Sequence, residues 1–235
     1  NTLIDATFAL LAAPASTSEL DYAVQDGWFY SQANGFGGAG GVGYTVTDAD
    51  GITFWTEFQR LGGVDVVGYP VTQRFIWDGF VTQAFQKLVF QWRPESNSVA
   101  FVNVFDDMAR LGFDGWLAAH RHTPAAFDTS EDTGLPFEQV VTRHVALMDE
   151  NPNLRQVYLD TPDWLNRYGL PVSWADYEHL YVVRAQRAVL QQWKTDMPWA
   201  KAGDVVVANG GDLAKEAGMW PLEAMAPVSS PAPLN

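Results

Sequence analysis

The sequence contains two diverged copies of one unit, and this repeat restricts the fold more than any other feature. Three blocks recur in the same order about 100 residues later: Gly68–Thr72 as Gly169–Ser173, Gln86–Gln91 as Gln186–Gln191, and Asn103–Asp106 as Asn209–Asp212. We expect both copies to share a fold in which equivalent residues match: Pro70 with Pro171, Gln86 with Gln186, and Asp106 with Asp212. We also expect Gln86 and Gln186 to hydrogen-bond the backbone of the Gly-x-Pro turn.

Turn and cap signals in the first copy predict short helices and antiparallel hairpins. Phe54–Leu61 is amphipathic and is followed by Gly62, which is typical of a helix and its C-terminal end. Asp78-Gly79 lies between two apolar runs and predicts a tight hairpin turn, because this pair accepts positive φ angles. We expect a short strand at Val64–Val67 and a helix capped by Asp106.

The predicted fold class is α+β, with two diverged copies of a small antiparallel-hairpin plus short-helix unit and a helical insert between them. The insert is indicated by Glu138–Asp149, where apolar residues follow helical spacing. The predicted segments are an N-terminal segment at 1–26, a first unit at 27–112, the insert at 113–163, a second unit at 164–225 and a Pro/Ser tail or linker at 226–235. Residues 7–16 have the texture of a signal-peptide end, but we interpret them as a short apolar helix, since no basic region precedes them.

The first copy carries three short motifs in the order Gly68–Thr72, Gln83–Phe85 and Phe90–Trp92. This order resembles the LGFP-like repeat module of exported, uncharacterised bacterial cell-surface proteins. The resemblance covers residues 27–112 well and 164–218 weakly, and Val67 stands where the repeat has its leading leucine. It implies an extracellular or cell-surface location and attachment to cell-envelope polymer, and it identifies no ligand.

Charge excludes several classes of partner. The chain has 28 acidic and 14 basic residues and a formal net charge of -14. Nucleic-acid binding needs clustered Lys and Arg, which are absent from the sequence, and the same charge disfavours anionic membrane surfaces. No apolar run approaches the roughly 20 residues that span a bilayer. With no cysteine, thiolate metal sites and cysteine nucleophiles are excluded, and no cofactor is expected.

Aromatic residues indicate a binding surface. They make up 14% of the chain and include ten tryptophans, whose large rings are rarely buried completely. Those that flank turns and glycine-rich sequence are the candidate ligand-binding residues: Trp28, Tyr30, Tyr69 and Trp77. We expect Trp55, on a helix face, and Trp92, at a strand end, to lie in the core instead.

Two other motifs favour structural roles. The six glycines between Gly35 and Gly43 lack the lysine of a phosphate loop and indicate a mobile or ligand-adjacent loop. Asp48–Gly51 with Glu57 matches part of a calcium loop, but its first position would be Val46, which cannot ligate. We therefore interpret these aspartates as turn and cap residues of the helix at Phe54, and we expect no metal there.

Enzyme and metal signals are weak. His120, His122 and His144 could offer three imidazoles to zinc, but the first two share a face only on a strand and the surrounding sequence is helical. No Gly-x-Ser-x-Gly motif occurs. Three functions remain: a secreted, non-catalytic cell-envelope or polysaccharide-binding module, a structural surface or filament subunit that assembles with other protein subunits, and a glycan hydrolase with paired carboxylates. The residues favour the first.

Overall fold

The computed structural model describes residues 20–234, so the expectation for residues 7–16 lies outside the described part. The strands are β1 (Tyr22–Val24), β2 (Gly27–Tyr30), β3 (Val42–Thr47), β4 (Phe75–Trp77), β5 (Phe80–Ala84), β6 (Val89–Arg93), β7 (Ser98–Phe101), β8 (Pro171–Asp176), β9 (Leu180–Ala185), β10 (Ala188–Trp193), β11 (Val205–Asn209) and β12 (Val228–Ser229). The α-helices are α1 (Phe54–Leu61), α2 (Val64–Val67), α3 (Val104–Arg110), α4 (Asp114–Arg121), α5 (Phe137–Val145), α6 (Pro152–Asp160), α7 (Trp164–Tyr168), α8 (Gly210–Glu216) and α9 (Leu222–Met225).

The strands form three four-stranded antiparallel sheets with the orders β1-β2-β3-β12, β4-β5-β6-β7 and β8-β9-β10-β11. The second and third sheets are simple meanders, each preceded by a short helix (α2 or α7) and followed by another (α3 or α8). Helices α4, α5 and α6 lie between them in the chain. The α+β fold class predicted from the sequence is confirmed.

The Gly-x-Pro turn has the same construction in both copies. Gly68 and Gly169 both have positive φ, at 83° and 71°, and both lie so close to the following glutamine that an added Cβ would meet its Cβ at 2.7 Å. Gln86 Oε1 accepts the Tyr69 N–H at 3.0 Å, and Gln186 Oε1 accepts the Leu170 N–H at 3.0 Å. The hydrogen bonds expected of both glutamines are therefore confirmed.

The two copies pack on each other reciprocally. The N–H of Phe105, in the first turn of α3, donates to the Gln186 carbonyl at 3.0 Å. The N–H of Asp212, in the first turn of α8, donates to the Gln86 carbonyl at 3.2 Å. Gly211 lies so close to the carbonyl of Phe85 that a Cβ would overlap it. Each copy therefore uses the helix that follows its meander, α3 or α8, to cover the turn of the other.

The core has three parts. One, between the two meander sheets, contains Phe105, Met108 and Trp220 together with residues of α8. A second joins the first sheet to α1 and to the second sheet through Phe58 and other aromatic rings. The third packs the helical insert, including Tyr158, against the third sheet. The first sheet thus shares its aromatic core with α1 and the second sheet.

Three expectations about local structure are corrected. Val64–Val67 is one turn of helix: within residues 20–234 no strand pairs with it, and the Val67 N–H donates to the Gly63 carbonyl at 2.8 Å. Asp106 lies inside the first turn of α3, and Asn103 is the N-cap residue. The segment expected to be a tail or linker lies on the first sheet, where β12 pairs with β3 and the Tyr22 hydroxyl donates to the Pro231 carbonyl at 2.7 Å.

The longest helices within residues 20–234 have nine residues, and none of them is long and apolar enough to cross a membrane.

Candidate functional site

A stack of parallel aromatic rings runs from the surface into the core between the first sheet and α1. The rings of Trp28, on β2, and Trp55, on α1, have centroids 6.1 Å apart and an interplanar angle of 14°. Trp55 stacks in turn on Phe58 at 5.7 Å and 19°. Trp28 and Trp55 are each half-buried, whereas Phe58 is buried. The two tryptophans therefore form the solvent-facing end of the stack.

Local contacts fix the positions of both tryptophans. Trp28 follows the tight β1–β2 turn and lies opposite Val46 of β3. Trp55 lies in the first turn of α1, where the Asp48 carboxylate accepts the N–H groups of Trp55 at 2.8 Å and Thr56 at 3.0 Å. The interpretation of Asp48 as a capping residue is confirmed, and the cap holds the Trp55 ring beside the sheet.

Beside these rings is an open cleft of about 440 Å³, which we call the Trp28 cleft. It is lined by Ala23, Val24, Asp26, Gly27, Trp28, Asp48, Trp55, Gln59 and Leu234. Within residues 20–234 the lining contains two carboxylates and one amide and no Lys or Arg. The cleft therefore combines a flat aromatic wall with hydrogen-bonding groups and negative charge.

Tyr30 and Tyr69 belong to the same aromatic group as the two tryptophans, but Tyr30 lies deeper and Tyr69 lies to one side. Tyr30 is two residues after Trp28 on β2, so both side chains lie on the same face of the sheet. Its ring contacts Phe58 at 5.7 Å and Tyr69 edge-on at 5.8 Å. Tyr30 is only 7% exposed, and burial raises its pKa. The expectation that the Tyr30 ring is reachable is wrong, because α1 covers it; Tyr69 remains half-buried.

Trp77 lies apart from the Trp28 cleft. Its indole Nε1–H donates to Asp107 Oδ2 at 2.9 Å, and its ring meets Trp220 edge-on at 5.1 Å. It packs against the core between the two meander sheets. The structure thus brings Trp28, Tyr30 and Tyr69 together and separates Trp77 from them.

The glycine-rich loop is organised by one buried side chain. Asn34 Nδ2 donates to the carbonyls of Ala39 and Val42, both at 2.8 Å. Its Oδ1 accepts the N–H groups of Phe36 at 2.7 Å and Gly38 at 3.2 Å. Phe36 is 63% exposed at the tip. The loop is therefore held by four side-chain hydrogen bonds from a residue that the sequence did not single out.

The three histidines considered for zinc have different neighbours. His120 stacks on Trp116 at 4.8 Å, and His122 lies 5.3 Å from the ring of His179. His144 is buried and hydrogen-bonded on both ring nitrogens. In the part of the chain that the structure describes, no three His, Cys, Asp or Glu side chains are arranged to hold a metal ion.

Three tryptophans at the surface or in the cleft are not among the binding residues that the sequence predicts. Trp55, which we expect in the core, packs against it and also lines the Trp28 cleft. Trp199 is 63% exposed in the loop between β10 and β11, and Trp174 is 39% exposed on β8. The Pro198-Trp199 pair after a strand was an available turn signal for Trp199.

The sequence matches no protein-family model and no curated protein.

Proposed function

We propose that this chain is a secreted, non-catalytic module that binds a neutral or amine-bearing polysaccharide of the cell envelope in the Trp28 cleft. The observation that carries the proposal is the pair of parallel, half-buried tryptophan rings beside an open cleft with free polar groups. Pyranose rings present flat C–H faces that stack on indole, and an open cleft admits a chain rather than a single small molecule. The resemblance to LGFP-like repeats supports the extracellular or cell-surface location.

The polar lining favours uncharged or cationic sugars. Asp26 and Gln59 supply hydrogen-bonding groups beside the rings, while the carboxylate of Asp48 is occupied by the cap of α1. Uronate or sulfated polymers would meet a carboxylate lining and a net charge of -14. Their binding therefore costs electrostatic free energy at low salt.

The affinity of one site should be modest. Aromatic pairs contribute about 0.5–1.5 kcal/mol each beyond the area they bury. Because Trp55 is stacked between Trp28 and Phe58, a sugar ring can stack only on the outer face of Trp28. Binding to a repeating polymer compensates for this weak affinity, because neighbouring sites on the polymer raise the effective concentration of the ligand.

Affinity electrophoresis of the whole chain tests the proposal. The gels contain hydroxyethyl cellulose as the neutral polymer, soluble chitosan as the cationic polymer, or alginate as the anionic polymer. We expect retardation by the neutral or the cationic polymer and none by alginate. Trp28→Ala should abolish the retardation, and Trp199→Ala, which removes an exposed tryptophan outside the cleft, should leave it unchanged.

Three results would count against the proposal. If neither the neutral nor the cationic polymer retards the chain, assembly with protein subunits is the better-supported function. Size-exclusion chromatography with light scattering detects such assembly. If Trp28→Ala and Trp199→Ala lose retardation equally, the Trp28 cleft is not the polysaccharide-binding site. Release of reducing ends from the polymer by the wild-type chain identifies a glycan hydrolase instead.

A further inference from the structure

A small cavity of about 160 Å³ lies where the two copies meet, and we call it the Lys87 cavity. In the first copy its lining comes from α2 and from the turn between β5 and β6, and in the second copy from α7, β10 and β11. The lining residues are Val66, Lys87, Leu88, Arg167, Tyr168, Ala188, Val207 and Asn209. An engineered apolar cavity of about 150 Å³ holds one benzene molecule, so this cavity has room for a ligand of about six non-hydrogen atoms.

The repeat places equivalent positions of the two copies around this cavity. Val66 and Arg167 both lie two residues before the glycine of a Gly-x-Pro turn. Leu88 and Ala188 both lie two residues after a repeated glutamine. The second copy therefore has a cation where the first has a valine, and a smaller side chain where the first has a leucine.

Among the described residues the lining contains two cations and no carboxylate, although the chain has twice as many acidic residues as basic ones. The half-buried Lys87 ammonium donates to the main-chain carbonyl of Asp65 at 2.7 Å, which uses one of its three N–H groups. The half-buried Arg167 guanidinium lies 6.0 Å from the centroid of the Tyr168 ring. The ion pairs within residues 20–234 use other lysines and arginines: Arg60, Arg110, Arg121, Arg143, Arg155, Arg184, Lys194 and Lys201.

The acidic residues beside these elements make their contacts elsewhere. The Asp163 carboxylate accepts Asn166 Nδ2 at 3.0 and 3.2 Å. The Asp212 carboxylate accepts Asn209 Nδ2 at 3.3 Å, and Asp65 is exposed. In the described part of the chain, no carboxylate forms an ion pair with either cation of the cavity. An anion held between the two cations would supply that contact.

From these contacts we infer that the Lys87 cavity binds a small monocarboxylate with a short aliphatic chain. The carboxylate of the ligand pairs with Lys87 and Arg167. Its chain lies against the aliphatic part of the lining, which consists of Val66, Leu88, Ala188 and Val207. An inorganic anion would leave that aliphatic surface facing water, whereas a hydrocarbon chain covers it.

Calorimetric titration of the whole chain with butyrate tests the inference. The comparison ligands are 1-butanol, which has the chain without the charge, and inorganic phosphate, which has charge without the chain. Salt at about 0.15 M screens charges more than about 8 Å away, so the acidic surface contributes little. We expect butyrate to bind and both comparison ligands to bind at least fivefold more weakly.

Three variants locate the site. Lys87→Gln and Arg167→Gln each remove one positive charge, and each should weaken butyrate binding at least fivefold. Val66→Phe keeps both cations and fills the cavity, so it should abolish binding. The control Lys201→Gln removes the same charge from an exposed position outside the cavity and should leave butyrate binding unchanged.

Three results would each overturn the inference. The first is a wild-type chain that shows no heat of binding and no rise in Tm with butyrate. The second is binding of 1-butanol or phosphate that is less than fivefold weaker than that of butyrate. The third is unchanged binding in Lys87→Gln or in Arg167→Gln. Trp28→Ala should leave butyrate binding unchanged, so failure of polymer retardation and failure of this site are separate results.

Discussion

Replacing the two equivalent glutamines by alanine should have unequal effects, although both occupy the same place in the repeat. The Gln186 side chain makes two hydrogen bonds, from the Leu170 N–H and to the Asp106 carboxylate. The Gln86 side chain makes one, from the N–H of Tyr69. Leu170 is 7% exposed, while Tyr69 is half-buried.

The magnitudes follow from what each substitution leaves unpaired. In Gln186→Ala, the buried Leu170 N–H loses its acceptor, which costs about 1–3 kcal/mol. The Asp106 carboxylate also loses a hydrogen bond, which water partly replaces because Asp106 is only half-buried. We expect a total loss of about 2–4 kcal/mol in the free energy of unfolding. Gln86→Ala leaves only the Tyr69 N–H without its acceptor, and water reaches this group more easily. The free energy of unfolding should therefore fall by about 1 kcal/mol.

Urea denaturation followed by tryptophan fluorescence measures both losses in the same background. The dependence of the free energy on urea concentration should stay the same in both variants, since neither changes the surface exposed on unfolding. Losses in the free energy of unfolding that are equal within about 0.5 kcal/mol would refute the reasoning, because smaller differences between two variants are not significant. A greater loss in Gln86→Ala than in Gln186→Ala would refute it outright.

Gly169→Ala should lower the free energy of unfolding by about 2–4 kcal/mol, because φ at this position is 71° and the new Cβ would meet the Gln186 Cβ at 2.7 Å. Urea denaturation measures this loss, and a loss below about 1 kcal/mol would mean that the turn adjusts freely. Asn34→Ala should make Gly35–Gly43 the first site of limited proteolysis, whereas an unchanged cleavage pattern would show that the loop does not depend on that amide. Burial raises the pKa of Asp212 above 3.8, so its ionised form destabilises the fold at neutral pH and this cost disappears as pH falls through the raised pKa toward 3.8. Asp212→Asn should therefore raise Tm at pH 7, with the difference closing near pH 4, and a lower Tm at pH 7 would contradict this sign.

Short-range signals gave the parts of the fold that could be predicted. The Asp78-Gly79 turn has φ angles of 49° and 83°, which is the conformation that this pair favours, and the hairpin around it is present. Gly62 ends α1 with a φ of 112°. The repeated glutamines identified the Gly-x-Pro turn because its hydrogen bonds lie within one copy.

Long-range packing decided what the sequence left open. Val64–Val67 has strand-forming residues, but the glycines on both sides leave room for one helical turn, and no strand of the described part of the chain pairs with it. Tyr30 lies on a strand that begins with a glycine, which favours an exposed ring, yet α1 covers that ring. Trp28 and Trp77 have similar local sequence contexts, and only the sheets to which they belong separate them. The strand pairings and ring contacts behind these outcomes join residues that are far apart in the sequence.

The reciprocal contacts between the copies also bear on how such a protein can arise. The first turns of α3 and α8 each donate a backbone N–H to the carbonyl of the other copy's glutamine. One copy alone would leave its glutamine turn uncovered and the start of its last helix without that acceptor. Two identical copies would meet both needs across the interface of a symmetric dimer, although the donors in this chain differ by one position, since Asp212 aligns with Asp106 and not with Phe105. A gene duplication that joined such a dimer into one chain would keep the interface while releasing each half to diverge. Gly211, which lies against the Phe85 carbonyl, stands where the first copy has Phe105.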